Sequence, residues 1–114
     1  MGEDSLNLIR GTVDVLILQA LAGEAKHGYA VSEWIQSATD GALLVEEGTL
    51  YPALHRLEAR GWITAEWALS ENNRKAKFYR LTRTGKTRLE RERATWHQYS
   101  SAVTKALAAR QSRS

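Results

Sequence analysis

The sequence predicts a mostly α-helical fold carrying a two-stranded β-wing, and three observations predict it. Three stretches before residue 61 repeat apolar residues at helical spacing. Two stretches between residues 62 and 82 alternate apolar and polar residues, as half-buried strands do. After residue 82 a long polar stretch carries apolar residues one heptad apart. The 114 residues suffice for one domain with a single modest core.

The first helix is expected over Thr12–Leu21, "TVDVLILQAL", with Val13, Leu16, Ile17, Ala20 and Leu21 as its stripe and Thr12 as its cap. Val15 and Leu18 leave this helix apolar nearly all round, which points to burial of the surplus face against a second subunit. A buried strand over "VLIL" is the competing reading; the length and the following "AGEAKHG" loop favour the helix. The second helix, His27–Thr39, repeats the pattern with Val31, Trp34, Ile35 and Ala38, after which "DGALLVEEG" breaks the period. The third, Thr49–Arg60, turns Leu50, Ala53, Leu54 and Leu57 inward and stops at Gly61. Pro52 has no amide hydrogen, which suits a first turn, so this helix is expected to start close to Thr49 with the threonine hydroxyl as cap.

Beyond Gly61, "WITAEWAL" places Ile63, Ala65, Trp67 and Leu69 on one side, and "KFYRLT" does the same for Tyr79 and Leu81. Between them, Asn72 and Asn73 tolerate the positive φ that a hairpin turn requires. From Thr82 a long helix runs toward Arg110, with Leu89, Trp96 and Val103 on a heptad seam and Tyr99, Ala106 and Leu107 beside it. Such a narrow seam suits pairing with another helix rather than a core. The order helix, helix, helix, hairpin, long helix describes a winged helix-turn-helix over residues 1–82 and a C-terminal dimerisation helix over 83–110. A disordered tail is expected over 111–114.

Composition narrows the function. No cysteine is present, which removes disulfides, thiolate metal sites and thiol nucleophiles. His27, His55 and His97 share no metal-ligand spacing, and no phosphate-binding glycine loop occurs, so neither an enzyme nor a metal or other cofactor is expected. No apolar run approaches the roughly 20 residues that span a bilayer, and the N-terminus lacks a signal-peptide pattern, so the chain is expected to be cytoplasmic and without a membrane partner. The net charge of +3 is unevenly spread. Residues 1–47 carry two basic and eight acidic side chains, residues 48–80 six and three, and residues 81–114 eight and two. A basic second half suits a polyanion such as double-stranded DNA, although two solvated faces of opposite sign would give the same count.

The third helix supplies the candidate reading surface. Its outward side holds Thr49, Tyr51, His55 and Arg56. A helix start with free amides, a hydroxyl and a tyrosine can seat a phosphate, and His55 and Arg56, one turn on, can reach base edges. An arginine on guanine is worth about 1–3 kcal/mol of discrimination. The hairpin tip adds Arg74, Lys75 and Lys77, which can follow phosphates or enter a minor groove. The same surface could instead hold a protein. On the last helix, Trp96 is either an aromatic anchor between two copies or, with Leu16, Tyr99 and Val103, a wall of an apolar pocket for a flat ligand. Leu89 and Leu107 extend the same seam.

The segments "GTVDVLILQAL", "HGYAVSEWI", "EEGTLYPALHRLEARGWI" and "ENNRKAKFYRLTRTGK" together resemble the PadR family of bacterial transcriptional regulators. The likeness runs from about Leu8 to Trp96 and is greatest to the short branch with a single C-terminal helix, of the kind abundant in acidobacteria. The resemblance implies a homodimeric repressor whose last helix packs on the partner's first helix. It implies that the third helix, including Thr49, Tyr51, His55 and Arg56, enters the major groove of an operator, and that the wing around Arg74–Lys77 touches the backbone. It also implies a response to small aromatic or drug-like effectors, since Trp96 is similar in position to a ligand-contacting tryptophan of multidrug-sensing members, and a transporter gene as target.

Overall fold

The computed structural model describes residues 11–111. Within them run α1 (Val13–Ala20), β1 (Lys26–His27), α2 (Gly28–Ala38), α3 (Glu47–Ala59), β2 (Ile63–Leu69), β3 (Lys75–Leu81) and α4 (Arg83–Ala108). The expected tail lies, apart from Gln111, outside these residues.

The helical stripes meet in one core of Ile17, Leu18, Val31, Ile35, Leu50, Leu54, Leu57 and Ile63, all essentially without solvent contact. Leu18, expected on a surplus face for a second subunit, belongs to this internal core, so α1 spends most of its apolar surface inside its own protomer. Val45 is buried with it although it sits in the stretch without periodicity; its carbonyl accepts a bond from the Ser32 hydroxyl at 2.9 Å, which pins the loop ahead of α3.

The third helix begins two residues earlier than expected. Glu46 is its N-cap, through its backbone alone: its carbonyl accepts from the amides of Thr49 and Leu50 at 2.9 and 2.8 Å. Thr49 is therefore a first-turn residue and not the cap, and Pro52 falls in the second turn, where it forfeits one bond to the Gly48 carbonyl. The stop is as expected. Gly61 takes φ +78°, and the amides of Gly61 and Trp62 return to the carbonyls of Glu58 and Leu57 at 3.0 and 3.1 Å, satisfying the last orphan acceptors of α3.

The wing forms as alternation predicted, with Ile63 opposite Leu81 and Leu69 opposite Lys75. Asn73 supplies the positive φ of the turn, +60°. The sheet has three strands rather than two, ordered β1-β3-β2, because Lys26 and His27 pair with Tyr79 and Phe78. Two residues are too short a run to show an alternation, so nothing in the pattern announced this strand.

Helix α4 is locked where it starts. The Thr82 hydroxyl accepts the Gly85 amide at 2.9 Å and donates to the Gly61 carbonyl at 2.7 Å. A Cβ on Gly85 would lie 1.9 Å from the Trp62 carbonyl oxygen, so only glycine permits this approach. The guanidinium groups of Arg60 and Arg88 both lie over the Trp62 ring, 5.1 and 4.7 Å from its centroid. With 26 residues α4 is about 39 Å long, yet Gly85 and Leu89 are its only buried residues. Leu89, expected on the seam between subunits, lies in the protomer's own core instead. The heptad spacing is real, but its first rung is internal because that part of α4 still packs on α1 and the sheet.

Candidate nucleic-acid interface

Burial of Leu50, Ala53, Leu54 and Leu57 fixes which side of α3 faces away from the protein. At about 100° per residue, the ridge opposite them is Gly48, Pro52, His55 and Ala59, all exposed. Three of these four side chains are small, so another body can come close to the helix backbone. His55 is the one member of the ridge with a hydrogen-bonding side chain. Thr49 and Arg56 stand on one flank, toward α1, and Tyr51 and Glu58 on the other, toward the wing.

The two flanks differ in how free they are. The Arg56 guanidinium, expected beside His55 at base edges, turns to α1 and ion-pairs with Asp14. Arg60 approaches the same carboxylate at 4.0 Å. Arg56 therefore holds two helices together in this state, and Thr49 is exposed above it with no cap to make. Asp14 lies 42 residues before Arg56, a distance at which no sequence spacing signals the pair.

On the other flank the sequence-predicted residues converge. Tyr51, Arg74, Lys75 and Lys77 all line one open cleft of about 530 Å³, closed at its other end by the start of α2. Gly28 makes room for the tyrosine: a Cβ there would stand 2.6 Å from the Tyr51 hydroxyl oxygen. Lys77 is partly engaged, 3.5 Å from Glu58 and 5.7 Å from the centre of the Tyr79 ring. Arg74 and Lys75 make no ion pair among the described residues. The cleft is not purely basic, since Glu33 and Glu71 also border it. Tyr79, a neutral phenol at ordinary pH, also lines the cleft; burial, then the neighbouring Glu58 carboxylate and Tyr51, push it above its ordinary value. Cations at the rim, a hydroxyl and a neutral phenol are chemistry for holding phosphate oxygens. Among the described residues no cluster of histidines and carboxylates could hold a metal ion.

The second candidate site lies on α4. Trp96, Tyr99, Val103 and Leu107 are exposed, Leu107 by 82%, and the Trp96 and Tyr99 rings lie 6.3 Å apart. A cavity of about 240 Å³ opens between these rings and the start of α1, lined by Gly11, Thr12, Val15 and Thr95. Neither Leu16 nor Val103 lines it. Val15 lines it, and Val15 and Leu16 both pack against the core. The apolar character of Val15 was visible in the sequence; which way α1 turns it was not. No helix among the described residues is long and apolar enough to cross a membrane.

The chain matches the Transcriptional regulator PadR-like family over residues 17–91. The transcriptional regulator Rv3488 of Mycobacterium tuberculosis is 33% identical over 95 residues, covering 82% of this chain and 84% of that protein. A transcriptional regulator from Clostridium thermocellum is similar in structure, with a TM-score of 0.77 at 32% identity over 85% of this chain and 94% of its own. A PadR family transcriptional regulator from Eggerthella lenta gives a TM-score of 0.73 at 34% identity, over 89% and 86% of the two chains. The chain belongs to the PadR-like family of transcriptional regulators, which are DNA-binding proteins and not enzymes.

Proposed function

We infer that this regulator is a homodimeric repressor in which each protomer holds one operator half-site between α3 and the wing. The observation that carries this reading is the convergence of Tyr51 with Arg74, Lys75 and Lys77 in one cleft beside the narrow ridge of α3. The ridge of Gly48, Pro52 and Ala59 lets α3 sit deep in a major groove, where His55 meets base edges. The cleft grips the phosphate backbone alongside. Arg56 serves mainly as a strut from α3 to Asp14, and Thr49 contacts backbone at the groove edge.

Dimerisation is supported by the outer half of α4, which projects with Trp96, Tyr99, Val103 and Leu107 uncovered. Two such stripes cover one another in a pair of copies and set the half-sites one helical turn, roughly 34 Å, or a multiple apart. The cavity beside Trp96 then suits a flat aromatic or drug-like effector, whose entry between α1 and α4 would loosen the grip on DNA. Small-molecule control predicts quenching of Trp96 fluorescence and release of the operator by the same compound.

Footprinting on the region upstream of the protein's own gene, over a salt series, tests the central reading. Three wing cations per protomer allow up to six phosphate contacts per dimer, and a log–log salt slope of about −5. A protected pair of half-sites with such a slope is the expected result. Salt-independent binding, or a stable protein complex in place of any DNA complex, would overturn it.

A further inference from the structure

The face of the wing that carries the basic residues also carries an apolar pair that the fold does not use. Antiparallel register puts Trp67 opposite Lys77 and Leu69 opposite Lys75, on the same face as the buried pair Ile63 and Leu81. The inner end of this face is core, and the outer end is uncovered: Trp67 is 62% and Leu69 65% exposed. Four tryptophans occur in the chain, and among the described residues the Trp67 ring makes no ring-stacking or cation–π contact. Two large apolar side chains left side by side on a projecting strand mark a contact surface.

The charge around the pair selects the occupant. Lys75 and Lys77 flank it on β3, and Arg74 follows at the turn. Glu66, the carboxylate on the same strand, points to the opposite face and is 3.6 Å from Arg80; Glu58 takes up part of Lys77 at 3.5 Å and Glu71 borders the turn, which leaves Arg74 and Lys75 as the cations without an ion pair among the described residues. An apolar prong fringed by cations suits a nucleic-acid groove, where phosphates line both rims and sugars and base edges line the floor. The reach fits as well. Leu69 lies six residues beyond Ile63, about 20 Å at roughly 3.3 Å per residue. Half a turn of B-DNA, the step from a major groove to the next minor groove, is about 17 Å.

We propose that Trp67 and Leu69 form an apolar prong that enters the operator's minor groove next to the major groove occupied by α3. The proposal rests on the DNA-binding reading above. The prong would select deformable sequence at positions that no hydrogen bond reads, because an inserted ring separates base steps most cheaply where stacking is weak.

The test uses the full-length protein and duplexes it selects from a randomised library. Trp67→Ala and Leu69→Ala lie on the surface and leave thermal unfolding unchanged. Trp67→Ala is expected to weaken the selected duplex about ten-fold or more, the scale of one lost aromatic stack. It should leave the salt slope intact, whereas Lys75→Ala flattens the slope. Duplex addition should quench a component of the tryptophan emission that Trp67→Phe removes, and end-to-end energy transfer across the duplex should report a bend that Trp67→Ala relaxes. Operator affinity within two-fold of wild type for both alanine variants, with wild-type binding intact, overturns the prong and leaves the DNA-binding reading standing. A change in sedimentation mass for Trp67→Ala also overturns it, in favour of a second copy as the occupant. Failure of the wild-type protein to select any duplex overturns both readings.

Discussion

Replacing Arg56 separates two accounts of the third helix: an arginine that reads bases, and one that braces α3 against α1. The pair with Asp14 joins side chains that are 45% and 21% exposed, so solvent screens it and its worth is about 0.2–1 kcal/mol. Arg60 stands 4.0 Å from the same carboxylate and can take over part of the contact. Arg56→Ala is therefore expected to lower the unfolding midpoint by no more than about 8 °C, given about 4–8 °C per kcal/mol in domains of this size. Because Asp14 already neutralises the guanidinium, affinity for all DNA should drop only slightly and the salt slope should shift by less than about one. A base-reading arginine would behave otherwise, losing about 1–3 kcal/mol at a single base pair and little elsewhere. The assay is a double-mutant cycle of Asp14→Ala and Arg56→Ala, read in denaturant unfolding at fixed protein concentration and in titrations of an operator with each base pair varied in turn. The bracing account expects a positive coupling in unfolding and unchanged base preferences. Zero coupling together with lost preference at one position would refute it.

Three further changes address separate parts of the molecule. Gly28→Ala should push the Tyr51 ring out of the cleft and weaken binding to every duplex alike, with unfolding little affected, as filter binding to selected and unrelated DNA would show. Leu89→Ala should cost about 2–5 kcal/mol of stability, since this side chain is only 5% exposed, whereas Leu107→Ser should leave protomer stability unchanged and reduce sedimentation mass alone. Tyr79 gives a pH signature: its folded phenol keeps its proton above the ordinary value of 10.0, so the unfolded chain loses its proton first. Stability is then full below about pH 10 and falls as pH rises through the folded value; Tyr79→Phe should flatten this alkaline decline in unfolding measurements.

The order of elements was legible because each helix repeats its own buried leucines and the wing alternates. Where the reading missed, the cause was physical and local. The start of α3 is set by the backbone carbonyl of Glu46 and not by a side chain, so the Thr49 hydroxyl and Pro52 pointed to a later turn. A heptad spacing shows that Leu89, Trp96 and Val103 share one stripe, but not where along that stripe the protomer's own core ends. Tyr51 and the wing cations, more than 20 residues apart, each read as DNA-facing, but no spacing joins them; only the sheet register and the gap at Gly28 bring them to one cleft. The ion pair of Arg56 was the least accessible, because a surface arginine carries no mark of which distant carboxylate it meets.

The joint between α3 and α4 bears on how an operator is measured out. Gly61 follows α3, Trp62 precedes the first strand of the wing, and both of their carbonyls accept bonds from Thr82, the residue that caps α4. Gly85 then sits against the same Trp62 carbonyl, and the Trp62 ring contacts both an arginine at the α3 end and one of α4. The end of α3 is thereby tied to the start of α4 through Gly61, Trp62 and Thr82. A pairing of α4 with α4 would therefore be transmitted to α3 as a fixed geometry, and half-site spacing would follow from the packing of Trp96, Tyr99, Val103 and Leu107. A compound that pries apart the Trp96 cavity would need to move α4 only slightly, because a small angle at this joint becomes a displacement of several ångströms at the far end of a helix about 39 Å long.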